Sequence, residues 1–330
     1  MRLAILGAGA WGTALGIALA SRHQISLWAR DPAQSRMLAA DRINARYLPD
    51  VAIPERVRIA AEVESAIEDS ELIIVAVPTS ALRESLRRAA SAATTAGVVW
   101  LCKGFETGSA KFPHQVAEEV LPSGQPRAAL SGPSFASEVA RGLPAAVTLA
   151  SNDPQFAAVA SRELHTGRLR VYSSDDLVGV ETAGAVKNVI AIAAGVCDGL
   201  SLGASARAAL ITRGLAEMTR LGVRLGGRAE TFMGLAGAGD LMLTATSDLS
   251  RNRRVGLQLA LGRPLAAILA ELGHVAEGVY TAPEVVRISR QLAVEMPITL
   301  AVSQLLGGAT SPRDLVDSLL QRQPKQESVR

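Results

Sequence analysis

Cysteine and histidine are scarce in this 330-residue chain, which contains two cysteines and four histidines. Cys102 and Cys197 are too few for a disulfide framework or a cysteine-built metal site, and the histidines are scattered without ligand spacing. Aromatic residues make up only 3% of the chain, they form no stacking series, and the net charge is +3. These shortages exclude a disulfide-stapled scaffold and disfavour a nucleic-acid surface. We therefore expect no metal and no nucleic-acid partner.

Long uncharged apolar runs are also missing. The most apolar long stretch, residues 183–203, contains Lys187, Asn188 and Asp198, which would be costly in lipid. It is therefore predicted to be a buried helix, with no membrane span. Met1 and Arg2 lead directly into a strand-like segment, without the features of a signal peptide. Together with the low cysteine content, this pattern predicts a cytoplasmic protein.

Lysine is the scarce basic residue. Of 34 lysines and arginines only four are lysine, at positions 103, 111, 187 and 325. Lysine differs from arginine in carrying a compact ammonium whose pKa shifts readily on burial. A lysine in an arginine-rich chain therefore marks a position where a titratable ammonium is useful.

Short apolar runs alternate with amphipathic segments in the first half of the chain. The apolar runs are residues 3–6, 25–28, 72–77, 98–102, 128–130 and 145–149. This alternation predicts a mostly parallel sheet with helices on both faces. From about residue 175, long helical patterns replace the strands. We predict an α/β domain over residues 1–186 and an all-α helical domain over residues 187–330, divided within a continuous helix. The polar tail from residue 321 is expected to fray.

A glycine-rich turn follows the first predicted strand. The segment LAILGAGAWG places Gly7, Gly9 and Gly12 between that strand and a helical pattern. The first glycine permits a tight turn, the second lets the backbone approach a pyrophosphate, and the third lets helix and strand pack closely. Free amides at the helix start then bind the phosphates. The position of the motif predicts dinucleotide binding.

The end of the second strand bears on the choice of cofactor. An acid at this place binds the adenosine ribose, whereas an arginine accommodates a 2′-phosphate. Arg30 follows the strand and Asp31 comes next, where it precedes Pro32 and is better interpreted as a helix cap. Arg30 therefore favours NADPH slightly over NADH. Trp11 is either a core anchor or a cover for the pyrophosphate.

Two further polar turns follow later strands. Lys103 comes after the strand at residues 98–102, and SGPSFA, with Gly132 and Ser134, comes after the strand at residues 128–130. Ligands bind at the carboxyl ends of such strands. The alternatives are a solvated loop lysine and, for Ser134, a helix N-cap.

Lys187 lies in a helical pattern among small residues. Ala183, Gly184, Ala191 and Ala194 share its helix face, so the lysine projects into space that its own helix does not fill. Burial lowers the pKa of an ammonium and prepares it to exchange a proton near neutral pH. The alternative is a structural pair with one buried carboxylate.

The glycine-rich stretch from Phe232 ends in a second polar helix start. Asp240 and Thr244 share a helix face, although Asp240 follows glycines and is alternatively an N-cap. In SDLSRNRRVG, amides at the helix start and Arg251 are suited to hold a phosphate. The alternative is that Arg251, Arg253 and Arg254 form a solvated face.

The motifs together resemble one family. GAGAWGTALG, KGFETG, SGPSFASEV, AVKNVIAIAAG, GLAGAGDLMLTATSDLSRNRRVG and AEGVYTA occur in this order over nearly the whole chain. This series is similar to the bacterial NAD(P)-dependent sn-glycerol-3-phosphate dehydrogenase family. The resemblance implies a Rossmann domain, a helical substrate domain and a homodimer. It also implies NADPH or NADH as cofactor, and reduction of dihydroxyacetone phosphate to sn-glycerol 3-phosphate for phospholipid synthesis.

The resemblance also implies roles for individual residues. The implied catalytic group comprises Lys187 as acid and base, with Asp240, Lys103, Asn188 and Thr244. The implied substrate contacts are Lys103, Gly132, Ser134, Lys187, Asp240, Ser250, Arg251 and Asn252, the last three at the phosphate. The implied cofactor contacts are Gly7, Gly9, Ala10, Trp11, Gly12, Arg30, Lys103, Ala136, Arg251, Val275 and Glu277. Ala10 departs from the family, which often has serine there.

Two rival hypotheses remain at this point. A related two-domain dehydrogenase acting on a hydroxy acid shares the glycine turn but leaves the helix start at Ser250 unexplained. A non-catalytic NADPH sensor explains cofactor binding but gives no reason for Lys103, Lys187 and Asp240 to occur together.

Overall fold

The chain folds into an α/β part followed by a helical part. The computed structural model describes residues 1–91 and 95–321, so the tail beyond residue 321 lies outside the described residues. The strands are β1 Arg2–Leu6, β2 Gln24–Trp28, β3 Ile43–Asn44, β4 Leu48–Ala52, β5 Val57–Ala60, β6 Leu72–Val75, β7 Gly97–Trp100, β8 Arg127–Ser131, β9 Ala145–Ala150 and β10 Leu169–Ser174. Eight of them form one sheet, in the order β10-β9-β8-β7-β6-β1-β2-β5, and β3 pairs with β4 in a separate hairpin.

The helices of the α/β part are α1 Ala10–Leu19, α2 Pro32–Asp41, α3 Val63–Ile67, α4 Leu82–Ser91, α5 Pro113–Val120, α6 Ala136–Ala140 and α7 Pro154–Leu164. The helices that follow are α8 Leu177–Gly199, α9 Gly203–Arg224, α10 Ala229–Met233, α11 Asp240–Thr246, α12 Arg251–Ala260, α13 Leu265–Leu272, α14 Glu277–Gln291, α15 Pro297–Leu306 and α16 Pro312–Leu320. A 3-10 turn at Thr79–Ala81 precedes α4, and a π-helical turn at Leu235–Gly239 precedes α11.

The central strands are apolar because helices cover both faces of the sheet. All residues of β6 (LIIV) and β7 (GVVW) are buried, as expected for a parallel sheet packed on both sides. Strands β7 and β8 are parallel neighbours. The loops that follow them therefore leave the sheet at the same edge, which brings the two polar turns together.

The sheet has two strands more than the six that the sequence patterns predict. The sequence patterns missed β5 and β10, which form the two ends of the sheet order. An edge strand is less buried, and charged residues such as Arg58 and Arg170 interrupt the apolar runs there. The prediction of a mostly parallel sheet is confirmed, and β9 is the strand that runs antiparallel to its neighbour β8.

The longest helix, α8, runs through the centre of the protein. Its sequence is long and apolar enough to cross a membrane by length and composition, and 94% of that apolar window is buried inside the protein. The predicted buried helix is thus confirmed. The predicted division between residues 186 and 187 falls within α8 and stays a prediction.

Two glycines let α8 and α12 cross closely. A Cβ atom at Gly195 would lie 1.9 Å from the Arg253 carbonyl oxygen, and one at Gly256 would lie 1.9 Å from the Ile192 carbonyl oxygen. No side chain fits at either position. The crossing holds the start of α12 beside the part of α8 that carries Lys187.

Candidate active site

The glycine turn between β1 and α1 has the shape that a dinucleotide requires. Gly7 has a φ of +114°, and a Cβ there would lie 2.5 Å from the Ala76 carbonyl oxygen. A Cβ at Gly12 would lie 1.9 Å from the Gly7 carbonyl oxygen, whereas a Cβ at Gly9 would meet nothing within 4 Å. Gly7 and Gly12 are thus needed for packing, and Gly9 faces open space. Among the described residues no side chain caps the start of α1. The turn therefore fits a pyrophosphate on the amides of α1, which begins at Ala10.

Of the two charged residues that follow β2, Asp31 caps the next helix and Arg30 is exposed. The Asp31 carboxylate accepts a hydrogen bond from the Ala33 amide at 2.9 Å, which confirms its interpretation as the cap of α2. Arg30 is exposed beside it. Trp11 is partly buried and packs against the core. Arg30 is thus placed at the end of β2, where the cofactor prediction requires a cation.

One carboxylate holds two lysines at the carboxyl edge of the sheet. Lys187 Nζ donates to Asp240 Oδ1 at 2.6 Å, and Lys103 Nζ donates to Asp240 Oδ2 at 2.7 Å. Asp240 is 1% exposed and Lys187 is 6% exposed. Lys103 is neither a solvated loop residue nor distant from α8. Asp240 is not an N-cap, since its carboxylate is taken by the lysines and Gly239 is the N-cap of α11.

The electrostatics of this cluster favour proton exchange. Burial lowers the pKa of Lys187 to about 7, because removal from water disfavours the ammonium; Lys103 acts in the same direction and Asp240 opposes them. Burial would raise the pKa of Asp240, but Lys103 and Lys187 hold it below its ordinary value. Asp240 therefore stays ionised near neutral pH while Lys187 can gain or lose a proton.

Thr244 and Gly132 complete the surroundings of the lysines. Lys187 Nζ donates to Thr244 Oγ1 at 2.8 Å, and Lys103 Nζ donates to the Gly132 carbonyl oxygen at 3.3 Å. Ser134 Oγ also donates to the Gly132 carbonyl, at 3.0 Å. The interpretation of Ser134 as a helix cap is wrong, because α6 begins two residues later, at Ala136, and its N-cap is Phe135.

A chain of amides links the lysines to the start of α12. Asn188 donates to the carbonyl oxygens of Lys103 at 3.5 Å and Gly184 at 3.2 Å. Its Oδ1 accepts from Asn252 Nδ2 at 2.9 Å, and Asn252 Oδ1 accepts from the Gly278 amide at 3.0 Å. Two asparagines thereby fix the positions of α8, α12 and α14 relative to one another.

The start of α12 presents backbone amides and an arginine. Ser250 caps the helix, and its Oγ accepts from the Arg253 amide at 3.2 Å. Arg251 is half-buried and donates to the Val275 carbonyl oxygen at 3.3 Å. Burial lowers the pKa of Arg251, and the carboxylate of Glu277 opposes this. A half-buried cation at a helix N-terminus suits an anionic group.

Glu277 connects α14 to the α/β part. Its Oε1 accepts from the Thr79 amide at 3.0 Å, after β6. Burial raises the pKa of Glu277, although the hydrogen bonds from Thr79 and the charge of Arg251 oppose the rise. Sequence patterns gave no signal for Thr79, because the contact joins residues far apart in the chain.

Arg253 corrects the prediction for the arginine run. The interpretation of Arg251, Arg253 and Arg254 as a solvated face is wrong for Arg253, which is only 8% exposed. It pairs with Asp198 Oδ2 at 2.7 Å and with Asp248 Oδ1 at 2.6 Å. Arg253 thus anchors α12 to the end of α8, while Arg254 is exposed.

The predicted site residues fall into three groups. Direct contacts join Lys103, Gly132, Ser134, Lys187, Asn188, Asp240, Thr244 and Asn252. Arg251 contacts Val275 and is electrostatically coupled to Glu277 beside the cap Ser250. Gly7, Gly9, Ala10, Trp11 and Gly12 form the turn, with Arg30 after β2 and Ala136 as the first residue of α6.

A glycine turn at the carboxyl end of β1 and a buried lysine–aspartate cluster at the same edge of a mostly parallel sheet define a dinucleotide-dependent dehydrogenase. The family models described as NAD-dependent glycerol-3-phosphate dehydrogenase N-terminus and C-terminus match residues 2–157 and 176–317. The chain therefore belongs to the NAD-dependent glycerol-3-phosphate dehydrogenase family.

Individual relatives agree with this assignment. A curated protein from Nitrosospira multiformis, named glycerol-3-phosphate dehydrogenase (NAD(P)+), is 57% identical over 331 residues and 99% of each chain is covered. One from Dechloromonas aromatica with the same name is 55% identical over 327 residues, again covering 99% of each chain. The crystal structure of glycerol-3-phosphate dehydrogenase from Coxiella burnetii matches with a TM-score of 0.92 at 42% identity, covering 97% of this chain and 98% of that one.

Proposed function

We propose that the protein catalyses the reversible, NAD(P)H-dependent reduction of dihydroxyacetone phosphate to sn-glycerol 3-phosphate. The observation that carries this proposal is the amide chain through Asn188 and Asn252, which joins the Lys187–Asp240–Lys103 cluster to the helix start at Ser250 and Arg251. The first group suits a carbonyl that is being protonated, and the second suits a phosphate. A short phosphorylated ketone presents both groups.

Lys187 is the proposed general acid. Its pKa of about 7 matches the pH at which an acid must both hold and release a proton. In reduction it donates the proton to the ketone oxygen, and in oxidation the neutral amine takes the proton from the alcohol. Asp240 orients the ammonium and, with Thr244, fixes its direction. Lys103 supplies a second cation for the charge that develops on the ketone oxygen.

The proposed phosphate site explains the orientation of the substrate. Ser250, Arg251 and Asn252 stand at the start of α12, where helix amides and the guanidinium attract a phosphate. Gly132 and Ser134 are the proposed contacts for the rest of the substrate. Holding the phosphate at one end keeps the ketone in register with Lys187, which lowers the entropic cost of reaching the transition state.

The cofactor would be held along the glycine turn. Gly7, Gly9, Gly12 and the amides from Ala10 onward would hold its pyrophosphate, with the contacts Trp11, Arg30, Lys103, Ala136, Arg251, Val275 and Glu277 completing the proposed site. When bound, the reduced nicotinamide supplies the hydride to the ketone carbon. Arg30 at the end of β2 favours NADPH slightly over NADH.

The proposal extends to the setting of the enzyme. The product would supply glycerol 3-phosphate for phospholipid synthesis in the cytoplasm, and the active form is proposed to be a homodimer. Sedimentation of the purified protein would give twice the mass of the 34.4 kDa chain. Sedimentation at the mass of one chain would overturn the dimer proposal.

The direct test is the loss of NADPH absorbance with purified protein and dihydroxyacetone phosphate. We expect rapid oxidation with the phosphorylated ketone and little with unphosphorylated dihydroxyacetone, because only the former occupies the α12 site. Repeating the assay with NADH ranks the cofactors. Turnover of a hydroxy acid with NADP+, without turnover of the phosphorylated ketone with NADPH, would instead support the rival dehydrogenase. Cofactor binding without turnover of either would support the sensor.

Lys187→Ala tests the proposed acid. We expect kcat to fall about 1,000-fold, since general acid catalysis contributes on that order, while the Kd for NADPH changes little. Lys111→Ala is the matched control, because Lys111 is an exposed lysine paired with Glu119. Near-normal turnover of Lys187→Ala would remove this lysine from the mechanism.

A further inference from the structure

Gly184 occupies an unusual place for glycine. It is buried in the interior of α8, one turn before Lys187 and Asn188. Glycine weakens a helix interior relative to alanine, and the helical backbone here needs no glycine conformation. The neighbours Ala183 and Ala185 show that small side chains are accepted on either side. The missing side chain at position 184 therefore calls for a spatial explanation.

The space beside Gly184 is taken by two side chains of the α/β part. A Cβ atom at this position would lie 2.9 Å from Ser131 Oγ, 3.4 Å from Lys103 Cγ and 3.6 Å from Lys103 Cδ. The first distance is shorter than a van der Waals contact allows. The stem of Lys103 thus runs directly along the bare backbone of α8, with Ser131 beside it.

The path of Lys103 ends at the reaction cluster. Beyond Gly184 its Nζ reaches Asp240 Oδ2 at 2.7 Å. The Lys103 carbonyl oxygen accepts from Asn188 Nδ2, which also donates to the Gly184 carbonyl oxygen. The backbone carbonyls of Lys103 and Gly184 thus accept hydrogen bonds from the same side-chain amide. A lateral shift of α8 or of the stem at this point would change where the ammonium ends.

Ser131 forms the opposite wall of this space. It is the last residue of β8, it is buried, and its hydroxyl has no hydrogen-bond partner among the described residues. Its role toward Lys103 is therefore one of shape. If a Cβ is added at position 184, removal of the Ser131 hydroxyl should relieve the shortest contact.

We infer that Gly184 is a positioning residue for the reaction: its bare backbone leaves the passage along which the Lys103 stem reaches Asp240, and Ser131 bounds that passage. The inference rests on the proposed function and goes beyond it, since Gly184 touches neither substrate nor cofactor there. Glycine at position 184 lowers the stability of the helix but allows the Lys103 ammonium to reach Asp240.

The test separates positioning from packing. Gly184→Ala should fold, because the atoms that must shift belong to side chains, yet lose about 10-fold or more in kcat with dihydroxyacetone phosphate at saturating NADPH, because the added Cβ displaces the Lys103 stem. Gly16→Ala is the matched control, because a Cβ there meets nothing closer than 3.7 Å in the interior of α1. It should gain helix stability without losing turnover.

A double variant tests the steric cause. We expect Gly184→Ala to reduce kcat less when it is introduced into Ser131→Ala than when it is introduced into the wild type. If Gly184→Ala does not fold, the double variant should still fold and keep kcat within about threefold of Ser131→Ala.

Three results would overturn the inference: equal kcat of wild type and Gly184→Ala, a loss that Ser131→Ala does not lessen, or a double variant that does not fold. A wild-type protein without turnover of the phosphorylated ketone would instead overturn the proposed function.

Discussion

At the residue scale, the site depends on one carboxylate shared by two lysines. Asp240 holds Lys187 and Lys103 on its two oxygens; Asp240 and Lys187 are buried, whereas Lys103 is partly exposed. Burial and the neighbouring Lys103 lower the pKa of Lys187, whereas Asp240 raises it. The protonation of Lys187 is therefore set first by burial and then by two neighbouring charges of opposite sign.

This balance predicts the pH dependence. Reduction requires protonated Lys187, so its kcat/KM should fall as the pH rises through about 7, and the oxidation of glycerol 3-phosphate should rise over the same range. Asp240→Asn removes the negative charge that supports the Lys187 ammonium, so the pKa of Lys187 should fall further. The limb of the pH profile, which is the fall of kcat/KM for reduction with rising pH, should then move to lower pH. We also expect kcat to be reduced about 100-fold.

The measurement is kcat/KM from about pH 6 to about pH 9. Asp50→Asn serves as the control, because Asp50 is an exposed carboxylate paired with Arg141. An Asp240→Asn profile with its limb at the wild-type pH would show that Asp240 does not set the protonation of Lys187.

The sequence predicted those residues whose role is local. The glycine turn, the cap at Asp31 and the helix start at Ser250 each follow from a few adjacent residues. The burial of Arg253 could not be predicted, because its partner Asp198 lies on another helix. The hydrogen bond from Trp100 Nε1 to Glu181, at 2.8 Å, joins a strand to α8 across the chain and gave no sequence signal either.

At the element scale, the close crossing of α8 and α12 sets the distance between the acid and the phosphate site. Gly256→Ala would place a Cβ atom 1.9 Å from the Ile192 carbonyl oxygen. Overpacking against backbone should cost about 3 kcal/mol of unfolding free energy, which exceeds the gain in helix propensity of about 1 kcal/mol.

Urea unfolding of Gly256→Ala measures this loss of unfolding free energy. Gly16→Ala is the control, because a Cβ at Gly16 meets nothing closer than 3.7 Å. Equal stabilities of the two variants would contradict the close packing. In residual folded protein, we also expect the KM for dihydroxyacetone phosphate to rise, since the start of α12 must move away from Lys187.

A second element depends on a buried acid. Glu217 of α9 accepts hydrogen bonds from the amides of Ile298, at 2.6 Å, and Thr299, at 3.2 Å, at the start of α15. Burial nevertheless raises the pKa of Glu217 from about 4.5 to about 7. The folded chain thus holds this proton more tightly than the unfolded chain. The resulting stability, about 3 kcal/mol, is complete below about pH 4.5 and is lost as the pH rises to about 7.

Glu217→Gln should remove this dependence on pH. We expect its urea midpoint to change less than that of the wild type between about pH 5 and about pH 8. Glu230→Gln, at an exposed position of α10, should keep the wild-type dependence. A Glu217→Gln variant with the wild-type slope would assign the dependence to other groups.

At the scale of the whole molecule, α8 joins the two parts. Leu177 and Val180, near its start, belong to a core cluster of the sheet, whereas Ala183, Val186 and Ile190 belong to a core cluster of the helical part. A single rigid helix cannot leave one core without disturbing the other. We therefore expect the two parts to unfold together.

The tryptophans allow a direct check. All three, Trp11, Trp28 and Trp100, lie in the sheet part, so their fluorescence reports that part, while far-UV circular dichroism reports mainly helices. The two signals should change at the same urea concentration. Separate midpoints would show that the parts unfold independently despite the shared helix.

The class of fold could be predicted because it depends on the order of apolar and amphipathic segments. The direction of β9 could not, since one short helix, α6, joins it to β8 and the residues carry no sign of strand direction. The predicted division of the chain near residue 186 has no sequence marker within α8, where small and apolar residues continue without a break.

The scarcity of lysine has a practical consequence for labelling. An amine-directed reagent meets only the chain's N-terminus and four lysines, two of which are Lys103 and Lys187. Their ammonium groups both contact Asp240. Most basic residues outside the cluster are arginines, which do not react with such a reagent. Mass spectrometry of the labelled chain, with and without NADPH, would thus monitor occupancy of the proposed active site through a handful of peptides.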